Sequence, residues 1–155
     1  MDKEKLATDL QDTVDAAFKE LSHLLDEHAR KQPVSGEWSI KEIVGHLIDS
    51  ASNNHQRWLR LQISKDLRFP DYGKDNLKWV EIQKYNDQPW KSLLQLWQVF
   101  NTHLSTMIRN VNTECLEHIW AIDEDHFITL EGLMVDYLRH LKVHLEQIFG
   151  NTIKP

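Results

Sequence analysis

Cysteine is almost missing. The one thiol, Cys115, can form no internal disulfide and leaves no CxxC pair for zinc or redox chemistry. Glycine (5) and proline (4) are scarce for 155 residues, too few for the many tight turns of an all-β protein. No apolar run approaches the roughly 18 residues that a membrane span needs. The opening Met1-Asp-Lys-Glu-Lys-Leu6 is polar and lacks the apolar stretch of a secretory signal. A cytoplasmic protein with no membrane partner is therefore expected. Positive charge is also short: the formal net charge is −6, which disfavours a nucleic-acid partner, because phosphate binding wants a basic face. Against these absences, 41% hydrophobic and 27% charged residues make an ordinary globular composition, and 9 His and 6 Trp stand out. The length suits one domain over residues 1–155 with a core able to enclose a site.

Apolar residues recur at helical spacing in four long stretches. The first covers about residues 3–31, with Leu6, Leu10, Val14, Ala17, Leu21, Leu24 and His28 in phase, and Pro33 ends it. The second start is the best marked. Ser39-Ile-Lys-Glu42 is a capping box, and Trp38 and Ile43 stand at the positions of a hydrophobic staple. This helix runs through Leu47, Ala51, Trp58 and Leu61 to about Ser64. Residues 65–88 hold no long helix, although 75–85 can hold a short one, and the segment is long enough to cross a bundle end to end. The third helix begins near Pro89 and runs through Leu93, Trp97, Leu104 and Ile108. After a second connection at 113–128, Thr129 caps the fourth helix, which carries Leu133, Tyr137, Leu141 and Leu145, with Gly150 as its stop. The expected fold is all-α, a four-helix bundle.

Two histidines, His140 and His144, lie four apart on the fourth helix, one turn from each other on one face. That spacing alone fits metal ligands and half-buried surface histidines alike. His46, early in the second helix, adds a third. If the second and fourth helices are antiparallel, His46 and His144 stand at the same level of the bundle. Three neutral imidazoles there would form a three-ligand site with open positions, suited to zinc, nickel, iron or copper. A satisfied core histidine gives the same pattern.

The order of motifs carries more information than any one of them. Helix two reads Trp38-Ser-Ile-Lys-Glu42-Ile-Val-Gly-His46-Leu-Ile-Asp49. Ile128-Thr-Leu-Glu131 leads into helix four, which contains His140-Leu-Lys-Val-His144. Over most of its length the chain resembles the DinB/YfiT-like superfamily and its metal-dependent hydrolase branch. The resemblance implies an up-down-down-up four-helix bundle with helices two and four antiparallel. It also implies a divalent metal, zinc or nickel before iron or manganese, held by His46, His140 and His144. Arg139 departs from the histidine that relatives often carry there. The resemblance further implies an enzyme that activates water to hydrolyse a small molecule. A thiol S-transferase using a bacillithiol- or mycothiol-type cosubstrate on the same metal is an alternative, as is a non-catalytic metal-binding or dimerisation bundle. A homodimer is expected.

Around the histidines, Asp49, Ser50, Asn53 and Arg57 share or flank the His46 stripe of helix two. Asp49 is the candidate catalytic carboxylate, as general base or as a hydrogen-bond partner of a ligand histidine. A solvated helix carboxylate, or one paired with Arg57 or Lys41, is the competing reading. Tyr137 fits an oxyanion donor or a core tyrosine. Trp79 or Trp90 could wall the mouth of the site. His23, His28, His55, His103, His118 and His126 have no partner at ligand spacing and read as surface or cap residues, and Cys115 has no nearby base.

Overall fold

A computed structural model describes residues 1–152. Its long helices are α1 (Lys3–Leu21), α3 (Ile40–Leu61), α5 (Trp90–Arg109) and α6 (Leu130–Thr152). Two short helices, α2 (Asp26–Arg30) and α4 (Asn76–Gln83), lie in the connections. So do strands β1 (Asp66–Arg68), β2 (Ile119–Ala121) and β3 (Phe127–Thr129). No described helix is long and apolar enough to cross a membrane.

Cross-helix hydrogen bonds and ring contacts fix the directions. Ser105 donates to the Ala7 carbonyl near one end of the α1–α5 pair, and the Trp90 indole donates to the Leu21 carbonyl at the other, so α1 and α5 are antiparallel. Lys41 reaches the Gln88 carbonyl beside the start of α5, and the His55 ring meets Phe100 farther along, so α3 and α5 are parallel. His46 meets His144 while Trp58 meets Tyr137, so α3 and α6 are antiparallel. The topology is up-down-down-up, as expected. Two parallel neighbours in sequence require the 62–89 connection to run back along the whole bundle, which brings it across the His46 face of α3.

The expected helix over 3–31 is broken. α1 ends at Leu21, Leu25 is extended, and α2 follows. The break contains no glycine or proline; its cause is tertiary. Asp26 accepts from the Trp90 backbone N–H at 3.0 Å and pairs with the wholly buried Lys41 at 2.8 Å, contacts that a straight helix would forfeit. α6 also runs past Gly150 to Thr152. α3 starts as its capping box predicts: Ser39 Oγ accepts from the Glu42 N–H at 3.2 Å and Glu42 accepts from the Ser39 N–H at 2.8 Å. α5 starts one residue after Pro89, and Thr129 Oγ1 accepts from the Gly132 N–H at the head of α6. The connections also form a small sheet, order β1-β2-β3, with β1 parallel and β3 antiparallel to β2. It ties the 62–89 segment to the start of α6 and sets Trp120 against α3.

Candidate metal centre

α3 supplies His46 about two turns after its cap, and α6 supplies His140 and His144 one turn apart. His46 Nε2 lies 3.3 Å from His140 Nε2, which lies 3.2 Å from His144 Nε2. These three residues are the only His, Cys, Asp or Glu group among the described residues whose ligand atoms converge in this way, all within 4.8 Å of one another.

The donor set fits a metal ion. His140 Nε2 carries either one hydrogen or one lone pair, so it cannot make a linear hydrogen bond to both neighbours at once. His144 Nδ1 lies 3.1 Å from Gln147 Oε1, an acceptor, which puts the hydrogen on Nδ1 and turns the Nε2 lone pair toward the centre. A cation satisfies three converging lone pairs where a shared proton cannot. The spacing agrees: bonds of about 2.0–2.1 Å at tetrahedral angles separate ligand nitrogens by about 3.3–3.4 Å. Protonation does not compete near neutral pH. Burial and the neighbouring imidazoles hold His46 down to about 3. Burial, with His144 alongside, holds His140 down to about 4, and burial lowers His144 as well.

Aromatic rings enclose the cluster. Trp38, expected to serve as a staple, packs its ring 5.0 Å from that of His46, and the Tyr72 ring lies 6.1 Å from it. Trp79 lies one layer out, 5.3 Å from Tyr72. Trp90 is a core residue whose indole N–H is spent on Leu21, so it does not wall the mouth. Burial pushes the Tyr72 phenol up to about 12.

Asp49 is buried one turn beyond His46, and its partners come from the long connection. Tyr85 donates to Oδ1 at 2.7 Å and Gln83 Nε2 donates to the same oxygen, while Oδ2 is buried with no partner among the described residues. The expected pairing with Arg57 or Lys41 does not form: Arg57 meets Asp71, and Lys41 meets Asp26. Burial raises the Asp49 carboxyl, against the opposing pull of its two donors. Gly45 makes the arrangement possible, because a Cβ there would stand 2.1 Å from the Tyr85 ring. Gln83, Tyr85, Trp38, Tyr72 and Gln147 escaped sequence reasoning, and only Gln147, three residues after His144, left a readable spacing.

Other candidates have structural duties. Asn53 Nδ2 donates to the Asp49 carbonyl. Tyr137 is buried and donates to Asn101 at 2.6 Å, which makes it a core tyrosine. Arg139 is exposed and paired with Asp136 at 2.6 Å. His118 is not a free surface residue, since Nδ1 bonds the Leu61 carbonyl. His55 and His103 meet across α3 and α5 with ring centroids 5.4 Å apart, away from the three-histidine group. A cavity of about 230 Å³ opens beside His46 and His140 and extends past Ser50 and Asn54 to Arg57 and Trp120.

Known proteins share this fold. A solved structure, YfiT from Bacillus subtilis, superposes with a TM-score of 0.78, covering 97% of this chain and 85% of that one at 22% identity. It is described as a probable metal-dependent hydrolase with an unusual four-helix bundle topology. A curated protein of Oceanobacillus iheyensis, named "putative metal-dependent hydrolase", is 27% identical over 115 residues. That match takes in 74% of this chain and 64% of the relative, just under two thirds of the relative's length. The family model described as the DinB superfamily matches residues 7–148. With that match running from α1 to the last turns of α6, the chain belongs to the DinB superfamily.

Proposed function

We propose that this protein is a metal-dependent hydrolase of a small molecule, with zinc or nickel held by His46, His140 and His144. The convergence of three neutral Nε2 atoms carries the reading. A divalent metal with three imidazole ligands keeps a coordination position open and would supply Lewis acidity, polarising a carbonyl and acidifying water. The remaining work falls to the chain. Gln147 fixes the His144 tautomer. Trp38 and Tyr72 shield the histidines from bulk water, and the adjoining cavity admits a substrate. Asp49 is assigned as proton acceptor. Burial raises its carboxyl, Tyr85 and Gln83 hold one oxygen, and the other has no partner among the described residues. The two named relatives support hydrolysis over thiol transfer.

The test begins with metal content of the untagged chain purified without added metal, beside a His140→Ala/His144→Ala variant. About one zinc or nickel per chain, lost in the variant, is expected. The loaded protein is then assayed against a panel of small esters and amides, with and without millimolar thiol. Hydrolysis that ignores thiol and collapses in Asp49→Asn with metal retained supports the assignment. Absence of metal from both proteins, with no rise in melting temperature on adding zinc or nickel, overturns the metal centre.

A further inference from the structure

Arg57 is 4% exposed, yet it lines the cavity that His46 and His140 also line. Its bonding is poor for a buried cation. Among the described residues Nη2 makes its only hydrogen bonds, to Asp71 Oδ1 at 3.3 Å and to the Pro70 carbonyl at 3.4 Å. Nε is buried without a partner, and Nη1 has none among the described residues. A guanidinium has five N–H donors, and leaving the Nε–H unmet out of water is costly. The group is nonetheless held in place. Its carbon sits 3.7 Å from the centroid of the Trp120 ring, which holds the guanidinium over the indole where both residues line the cavity. Asp71 does not complete it, because the same Oδ1 also accepts from the Gly73 N–H at 3.0 Å.

We propose that Arg57 binds a carboxylate at one end of an elongated small substrate whose reacting group lies at the three-histidine centre. A planar carboxylate meets a guanidinium edge with two parallel hydrogen bonds. Asp71, already beside Arg57, favours a singly charged carboxylate over a dianionic phosphate, which would face its repulsion at short range. Asp136, also on the wall, is paired with Arg139. Elongation follows from the helix. His46 and Arg57 are separated by about three turns of α3, about 16 Å between Cα atoms less the reach of the arginine stem. Ser50 and Asn54 line the cavity between them. Its volume of about 230 Å³ corresponds to roughly eight water molecules of liquid, which limits the ligand to a short chain. This rests on the three-histidine reading only for which end of the substrate reacts.

The experiment uses the full chain, metal-free and zinc-loaded, titrated with straight-chain carboxylates from acetate to hexanoate and with their primary amides. The readouts are the Arg57 Nε–H resonance by ¹⁵N NMR and the melting temperature. Carboxylates, and not amides, should shift the resonance in both forms. Asp71→Asn keeps the acceptor for Gly73 and removes the competing charge, so it should tighten binding several-fold. Arg57→Met should weaken binding at least tenfold. If Arg57→Met does not fold, the resonance and the Asp71→Asn gain still decide. Amides binding as well as acids, unchanged affinity in a folded Arg57→Met, or no response in either the parent or Asp71→Asn would overturn the proposal. Metal-free titration separates the two readings. Carboxylate binding in a chain that takes up no zinc leaves Arg57 standing and removes the metal centre; zinc uptake with no carboxylate response does the reverse.

Discussion

Tyr85 donates to Asp49 Oδ1 at 2.7 Å across a gap in α3 that exists only because residue 45 is glycine. The Cβ of an alanine would fall between 2.1 and 2.4 Å from three carbons of the Tyr85 ring. Tyr85 is buried and cannot swing aside freely, so the ring, and with it the end of the 62–89 connection, must shift. Gly45→Ala should therefore destabilise by about 1–3 kcal/mol, the usual range for overpacking, despite its better helix propensity. Tyr85→Phe, which removes the hydrogen bond alone, should cost about 1 kcal/mol. Denaturant midpoints of the two variants check the order. A Gly45→Ala midpoint at or above that of the parent would show that Tyr85 does not press on α3.

Gln147 is exposed and touches no core, yet it sets the tautomer of His144. Gln147→Leu leaves all three histidines in place and removes only this acceptor. Losses of second-layer partners typically weaken metal affinity by about 10–100-fold. Chelator competition should give a drop of that size with an unchanged melting temperature for the metal-free chain. Equal affinities would mean that water orients His144 as well as the glutamine does.

What the sequence disclosed follows from where each signal resides. The α3 cap was readable because Ser39 and Glu42 act across three residues. The histidine triad was readable because helical spacing fixes His140 against His144, and one antiparallel pairing fixes His46. The sheet was not, since its strands are three residues long and β1 pairs with β2 across a whole helix of sequence. The break after Leu21 was hidden because its causes, Lys41 and the head of α5, lie far along the chain. The surroundings of Asp49 were hidden likewise: Gln83 and Tyr85 belong to a connection whose apolar pattern announces no packing partner.

Lys41 is fully buried, and its ammonium makes three contacts: Asp26 at 2.8 Å, the Gln88 carbonyl at 2.7 Å and the Asn86 carbonyl at 3.3 Å. Three donors meet three acceptors, and together they lock α2 and the end of the long connection onto α3. Lys41→Met leaves the Gln88 carbonyl without its donor and Asp26 without its buried cation, while the Asn86 carbonyl keeps Arg30, so it should lower the denaturation midpoint clearly. Asp26→Asn should lower it less, because Asp26 is about half exposed and an asparagine oxygen can still accept from Lys41 and from Trp90. The reverse order would place the main tie in the charge of Asp26.

The last prediction concerns pH in the metal-free chain. In the folded protein His46 is held at about 3 and His140 at about 4, while in the unfolded chain both return to about 6.5. Below about pH 6.5 the unfolded chain therefore takes up protons that the folded chain refuses. The stability these neutral imidazoles permit is complete above about 6.5 and is lost progressively as the pH falls toward about 4. Asp49 works in the opposite sense, since its raised carboxyl favours the folded state as it protonates, but one carboxyl does not offset the buried imidazoles. Melting temperatures of chelator-treated protein from pH 8 to 4 should thus fall with acidity, and a folded His46→Leu/His140→Leu variant should show a shallower fall. Zinc-saturated protein should show the steepest dependence, because protons then compete with the metal for the same three nitrogens. A metal-free chain equally stable at pH 8 and pH 5 would mean that the cluster opens to solvent and titrates like free histidine.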